Sequence, residues 1–218
     1  MFTGIIEHLG TVESFVQGID RADITILAPK LVSKLTVGNS IAVNGCCLTI
    51  VSVKKGRFSA NLSGETIRKT SFGVTFGPIK SGAIVNLEQP LTAGKEFGGH
   101  FVLGHVDGTG EVVHLRKQGD SWWYGVQVPE EFARYIVPKG SITIDGISFT
   151  VASWHEGVVE VAVIPYTYEH TNIRELRPGH AVNLEGDILG KYAERYLASR
   201  KEASASRLTV AHLVEEGF

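Results

Sequence analysis

The sequence predicts an all-β protein: two copies of one small barrel or sandwich of about six strands, followed by a helix. The chain repeats itself, each copy breaks into short β-branched runs, and past the repeat the apolar spacing becomes helical. Shifted by 100 residues, Gly4, Gly10 and Val12 fall on Gly104, Gly110 and Val112. Shifted by 101, Ser40-Ile41, Gly45, Thr49, Thr66 and Thr70 fall on Ser141-Ile142, Gly146, Thr150, Thr167 and Thr171. Shifted by 97, Val85-Asn86-Leu87-Glu88 falls on Val182-Asn183-Leu184-Glu185. The order is kept, and the register drifts through small loop changes that include extra residues near 74–77. Two copies of one fold imply two related pockets.

Each element follows from its residues. Runs rich in Val, Ile and Thr at 10–15, 23–27, 40–43, 47–53, 57–62 and 83–87 recur at 110–115, 123–128, 141–144, 149–154, 158–164 and 181–184. Gly, Asn and Asp separate them, as strand boundaries require. Residues 29–35 and 129–137 are expected to be short helical links that plug a barrel end. Lys80-Ser81-Gly82 and Arg177-Pro178-Gly179 are turns before the last strand of each copy. Over 188–201, Leu189, Tyr192, Tyr196 and Leu197 form one stripe at helical spacing. A polar stretch (202–207) and a short amphipathic end (208–218) follow. The stripe has two possible partners, a barrel of the same chain or the same helix in other subunits. The expected domains are 1–100, 101–187 and 188–218.

Composition narrows the function. At 218 residues, each copy is long enough for its own core. A net charge of −2, with no basic residues clustered among aromatics, argues against nucleic acid despite the small-barrel pattern. No apolar run approaches bilayer length, and the first residues lack a signal-peptide pattern. The only cysteines, Cys46 and Cys47, are adjacent and point to opposite faces of a strand, so a reducing cytoplasm is expected. No HExxH, paired CxxC, P-loop, dinucleotide fingerprint or G-x-S-x-G elbow is present.

Period two puts Gly45, Cys47 and Thr49 on one strand face, and Ser148 and Thr150 share the corresponding face in the second copy. Small hydrogen-bonding faces in both copies point to a polar ligand. Gly4 and its partner Gly104 suit close backbone approach. His105, beside Gly104, is matched by Ile5, so it belongs to one site and is a candidate proton carrier. Asn61-Leu62-Ser63-Gly64-Glu65-Thr66 and Ile164-Pro165-Tyr166-Thr167-Tyr168-Glu169 each run from a strand into a helical turn. The backbone groups there can read the edge of a planar heterocycle.

Met1-Phe2-Thr3-Gly4-Ile5-Ile6-Glu7, Asn44-Gly45-Cys46-Cys47-Leu48-Thr49, residues 65–70, Gly98-Gly99-His100-Phe101-Val102-Leu103-Gly104-His105-Val106 and Asp145-Gly146-Ile147-Ser148-Phe149-Thr150 together resemble the riboflavin synthase family of alpha-chain type. The resemblance covers about residues 1–200. It implies two six-stranded closed β-barrels, a C-terminal helix and a homotrimer. The implied transferase reaction is a dismutation: two 6,7-dimethyl-8-ribityllumazine molecules exchange a four-carbon unit, giving riboflavin and 5-amino-6-(D-ribitylamino)uracil. It needs no metal or organic cofactor. Association with lumazine synthase is a further expectation. A non-catalytic lumazine or flavin carrier of the same fold is the alternative.

The residue patterns, read beside this resemblance, suggest roles, with those of Phe2 and Thr3 carried over from the family. His105 would be an acid/base or orienting group. Cys47 and Ser148 would add to a bound ring, guide water or donate a hydrogen bond. Phe2 and Thr3 would cover the first ring. Backbone groups of Gly4, Ile5, Ile6, Gly104, His105, Val106, 61–66 and 164–169 would read the pyrimidine-like edge. Ser40, Thr49, Lys139, Asp145 and Thr150 would hold ribityl hydroxyls or support the pocket, with Leu48 and Phe149 beside them. Tyr166 would alter the edge of the second pocket.

Overall fold

A computed structural model describes residues 1–73 and 79–204, together with 214, 216 and 217. The extra residues near 74–77 and most of the stretch expected over 202–218 lie outside these. The chain forms two units, Met1–Asp187 and Ile188–Phe218.

The first unit holds both copies as closed barrels. The first barrel is built from β1 (His8–Gln17), β2 (Arg21–Leu27), β3 (Ser40–Val43), β4 (Cys46–Lys54), β5 (Arg57–Ser63) and β6 (Ile84–Glu88), closed in the order β1-β2-β5-β4-β3-β6. Helix α1 (Gly64–Lys69) follows β5. The second barrel uses β7 (Gly108–Gln118), β8 (Ser121–Gln127), β9 (Ser141–Ile144), β10 (Ile147–His155), β11 (Val158–Val163) and β12 (Ala181–Gly186), in the order β10-β11-β8-β7-β12-β9. Helix α2 (Glu130–Ala133) lies between β8 and β9, and α3 (Pro165–His170) follows β11. The expected link at 29–35 is a single 3-10 turn, Val32–Lys34. Closure leaves no sheet edge unpaired, and matching bulges after Val12, Ile50, Val112 and Val151 supply the curvature.

Alternation turns one face of each strand inward. In the first barrel Ile24 and Ile26 meet Ala60 and Phe58; in the second, Tyr124 and Val126 meet Val161 and Val159. Aromatic bulk has moved from β5 to β8 while both interiors stay filled, the kind of exchange a close-packed core tolerates.

The barrels join along a pseudo-two-fold seam. The two-residue turns Asn44-Gly45 and Asp145-Gly146 have positive φ throughout, and they meet back to back. A Cβ on Gly45 would stand 2.6 Å from the Gly146 nitrogen, so only glycine fits. Asn86 Nδ2 donates to the Asp145 carbonyl at 2.9 Å, and Asn183 Nδ2 donates to the Asn44 carbonyl at 2.8 Å. The Asp145 carboxylate accepts from Asn183 N and from Asn172 Nδ2, each at 2.8 Å.

The Asp145 carboxylate is therefore engaged within the seam, which fits a supporting position behind the pocket strand. Burial raises its pKa from 3.8 to about 6, against the lowering effect of its hydrogen bonds. The folded state then binds the proton more tightly than the unfolded chain, so this group's contribution to stability falls as pH rises from 3.8 to about 6. The change is on the order of 3 kcal/mol. Asp145→Asn removes the titration and places an amide donor against Asn172 Nδ2. Urea unfolding is expected to show a stability deficit of the variant that is largest near pH 4 and narrows by pH 7; a deficit constant with pH would contradict this assignment.

The second unit carries α4 (Ile188–Ser204), on which Leu189, Tyr192, Tyr196 and Leu197 are exposed.

Candidate active site

Each barrel's entry segment crosses onto the pocket strand of the other. Ser148 N on β10 donates to the Gly4 carbonyl, and Cys47 N on β4 donates to the Gly104 carbonyl, both at 2.8 Å. A Cβ on Gly4 would stand 2.7 Å from Ser148 Cβ, and one on Gly104 would stand 2.6 Å from Cys47 Cβ, so both crossings depend on glycine. Glu88 holds the first segment, accepting from Thr3 N, Thr3 Oγ1 and Gly4 N. Glu185 accepts from Leu103 N and Gly104 N in the same way. The glutamates come from the repeated Val-Asn-Leu-Glu strand, whose Asn builds the seam.

Two pockets result. The first, of about 240 Å³, is lined by Cys46, Cys47, Glu65, Thr66, Lys69, Thr70, Gly104, His105 and Val106. It thus combines β4 and α1 of the first barrel with the entry segment of the second. Ser63 caps α1 by accepting from Thr66 N at 3.1 Å. Burial pushes the Cys46 thiol up to about 12, keeping it protonated, while Cys47 is only half-buried. His105 is exposed at the pocket.

The second pocket, of about 460 Å³, is lined by Lys139, Ser148, Phe149, Thr150, Val151, Ala152, Ala162, Ile164 and Thr167. Lys139 has φ 64° where its counterpart Gly38 has φ 90°. A residue with a Cβ is disfavoured at such a φ. Pro165 starts α3, and the exposed Tyr166 ring stacks on His170 at 4.1 Å. Thr49 and Thr150 are exposed on the pocket faces, and Ser40 pairs with Thr49 in register.

Several residues expected at the pockets lie elsewhere. Leu48 and Leu62 point into the first barrel's core, because period two turns them away from Cys47 and Asn61. Tyr168 is drawn inward, stacking on Trp122 at 4.0 Å. Tyr166 and Glu169 border a separate cavity with Ile6 and Glu7, so Tyr166 does not line the second pocket. Asn61 is engaged by Asp23, to which its Nδ2 donates. Phe2 is fully buried at the seam with Ala42, Val102 and Cys47, and its backbone pairs with Val102.

His100 is a residue the strand-face argument passed over. Its Nδ1 lies 2.8 Å from Ser148 Oγ, and its Nε2 lies 3.0 Å from Thr143 Oγ1. Its backbone N donates to the Thr3 carbonyl at 3.1 Å. Burial lowers its pKa, opposed by Asp187, which favours the neutral imidazole at pH 7. The available sequence signal was Gly98-Gly99 immediately before it, since Gly99 has φ 64° and no room for a Cβ.

Duplicated pockets with mixed polar and apolar walls on two joined barrels define a double-barrel protein with two related candidate binding sites. The lumazine binding domain matches this chain twice, over residues 3–90 and 103–187. Riboflavin synthase of Actinobacillus pleuropneumoniae is 41% identical over 219 residues, covering all of both chains. That of Bacillus subtilis is 38% identical with the same coverage. The crystal structure of LumP complexed with riboflavin superposes with a TM-score of 0.79 at 24% identity, over 85% of this chain and 99% of that one, which supports the fold. The chain belongs to the riboflavin synthase family of lumazine-binding proteins.

Proposed function

We infer that this chain is a riboflavin synthase, a transferase that converts two molecules of 6,7-dimethyl-8-ribityllumazine into riboflavin and 5-amino-6-(D-ribitylamino)uracil. The observation that carries the reading is the diverged duplication. Donor and acceptor are one compound, so the reaction calls for two pockets of common ancestry with different catalytic groups, here His105 with Cys47 and Ser148 with His100. Holding two rings face to face removes much of the entropic barrier, several kcal/mol by analogy with oriented intramolecular reactions.

His105 acts as acid/base at the first pocket. Ser148 and Cys47 meet the ring, while Lys139, Thr150, Thr49 and Ser40 hold ribityl hydroxyls. The segments of Gly4–Ile5 and Gly104–Val106 lie beside the pocket strands, where the backbone of Ile5, His105 and Val106 would meet a ring edge. The productive site joins the first pocket of one subunit to the second pocket of the next in a cytoplasmic homotrimer. The exposed aromatic–aliphatic stripe of α4 supports such an assembly. No helix among the described residues is long and apolar enough to cross a membrane. An association with lumazine synthase would bring the substrate's source close to these pockets.

The test mixes the purified protein with 6,7-dimethyl-8-ribityllumazine alone. Riboflavin is expected at half the molar amount of lumazine consumed. Tight binding with an unchanged lumazine spectrum would make the protein a carrier and remove the catalytic roles.

A further inference from the structure

The last strand of each barrel carries a glutamate that is almost wholly buried, Glu88 at 2% exposure and Glu185 at 3%. In register, Glu88 pairs with Ala42 on β3 and Glu185 with Thr143 on β9. Each carboxylate divides its two oxygens between successive amides of its own barrel's entry segment. Glu88 Oε1 accepts from Thr3 N at 2.7 Å, and Oε2 accepts from Gly4 N at 3.0 Å. Glu185 Oε1 accepts from Leu103 N at 2.7 Å, and Oε2 accepts from Gly104 N at 2.9 Å. A carboxylate bonded at both oxygens fixes orientation as well as position.

The same glycines turn their carbonyls to the opposite barrel, Gly4 to Ser148 N and Gly104 to Cys47 N. Gly4 and Gly104 thus each link a glutamate of one barrel to the pocket strand of the other. The bridge between the two segments, Phe2 with Val102, lies before both glycines and replaces neither anchor. Neither glutamate lines a pocket, so each acts through the segment it holds.

We propose that Glu88 and Glu185 are crossed positioning residues: Glu88 of the first barrel sets the wall of the second pocket, and Glu185 of the second barrel sets the first pocket and the placement of His105. The proposal rests on the riboflavin synthase reading for its kinetic consequence. A displacement of about 1 Å at a reacting group can cost about 100-fold in rate, so an anchor that never meets substrate still governs turnover.

The test reads each pocket separately in the full-length protein. Cys47 lines the first pocket and is half-buried, whereas Cys46 is buried with its thiol held protonated. The rate of Cys47 alkylation by iodoacetamide therefore reports the first pocket. Combining Cys47→Ser with Ser148→Cys moves the reporter thiol to the second pocket. Glu185→Gln keeps the shape of the side chain but sets an amide donor against one backbone N–H. It is expected to raise alkylation at position 47 about 10-fold, to leave position 148 at its control rate, and to lower kcat about 10- to 100-fold. Glu88→Gln is expected to do the reverse, raising alkylation at position 148 alone, with a similar loss of kcat. Thr3→Val removes only Oγ1, which donates to Glu88 at 2.8 Å. It is expected to reproduce the Glu88→Gln pattern at smaller amplitude, and it carries the test should Glu88→Gln not fold.

A glutamate that served stability alone would loosen both thiols or neither, and either pattern would overturn the proposal. Faster alkylation confined to the pocket of the mutated glutamate's own barrel would also overturn it, as would wild-type kcat in both folded glutamate variants. Absence of riboflavin formation by the wild-type protein would overturn the activity, while the thiol pattern tests the crossed anchoring whether or not the protein turns over.

Discussion

Replacing Phe2 by Ala is expected to abolish productive binding at the first pocket and to destabilise the first unit by about 3–5 kcal/mol. The ring is fully buried although it stands one residue from the chain start. It fills the space behind Cys47, and its Cε2 would lie 3.0 Å from a Cβ built on Gly104. Its N–H donates to the Val102 carbonyl at 2.7 Å, and its carbonyl accepts from Val102 N at 3.2 Å. Truncation leaves a cavity under the strand that carries Cys47 and under the crossing that delivers His105. The effect therefore reaches both stability and the pocket wall. Phe2→Leu, which refills most of the volume, is expected to recover most of the stability and part of the turnover. Urea unfolding and a fluorescence titration with lumazine measure the two consequences. Unchanged lumazine affinity in Phe2→Ala would show that the first pocket does not depend on this ring.

The second large effect is expected at His105. His105→Gln should lower turnover by about 100- to 1,000-fold, the scale of a lost general acid–base group. The side chain is exposed, so thermal stability should stay within about 0.5 kcal/mol of wild type. Lumazine affinity should change little, because the backbone of Gly104 and Val106 is unaltered. Steady-state kinetics beside a binding titration check this. Full turnover in His105→Gln would remove the proton-transfer role and leave the residue as part of the pocket rim.

These two residues also show how far the sequence could be read. His105 was legible because the repeat gives it a reference: the matching position is Ile5, so a histidine there breaks the symmetry of the copies. Phe2 was legible only as part of a family motif, and its burial at the seam was not legible at all. Nothing in local periodicity says that a second residue turns into a seam 100 positions away in the chain. Cys47 and Ser148 were found by alternation along one strand, and the same alternation, followed one residue further, sends Leu48 into the core. Asp145 was expected at a pocket because it opens the motif that carries Ser148. Its turn faces Asn44-Gly45 instead, and its carboxylate is used by Asn172 and Asn183.

The sequence by itself determined the duplication, the twelve strands, the turn glycines and the polar faces of β4 and β10. Each of these rests on patterns of two to about ten residues, or on comparison of one copy with the other. Only the tertiary structure decided which pocket each entry segment serves and what stands behind each pocket strand. Gly104–Val106 joins the first pocket and Gly4 meets the second, because closing the seam exchanges the two segments. His100 reaches Ser148 across 48 residues for the same reason. The physical cause is that such contacts are fixed by how two closed barrels meet along a shared axis, and no local spacing along the chain encodes that meeting.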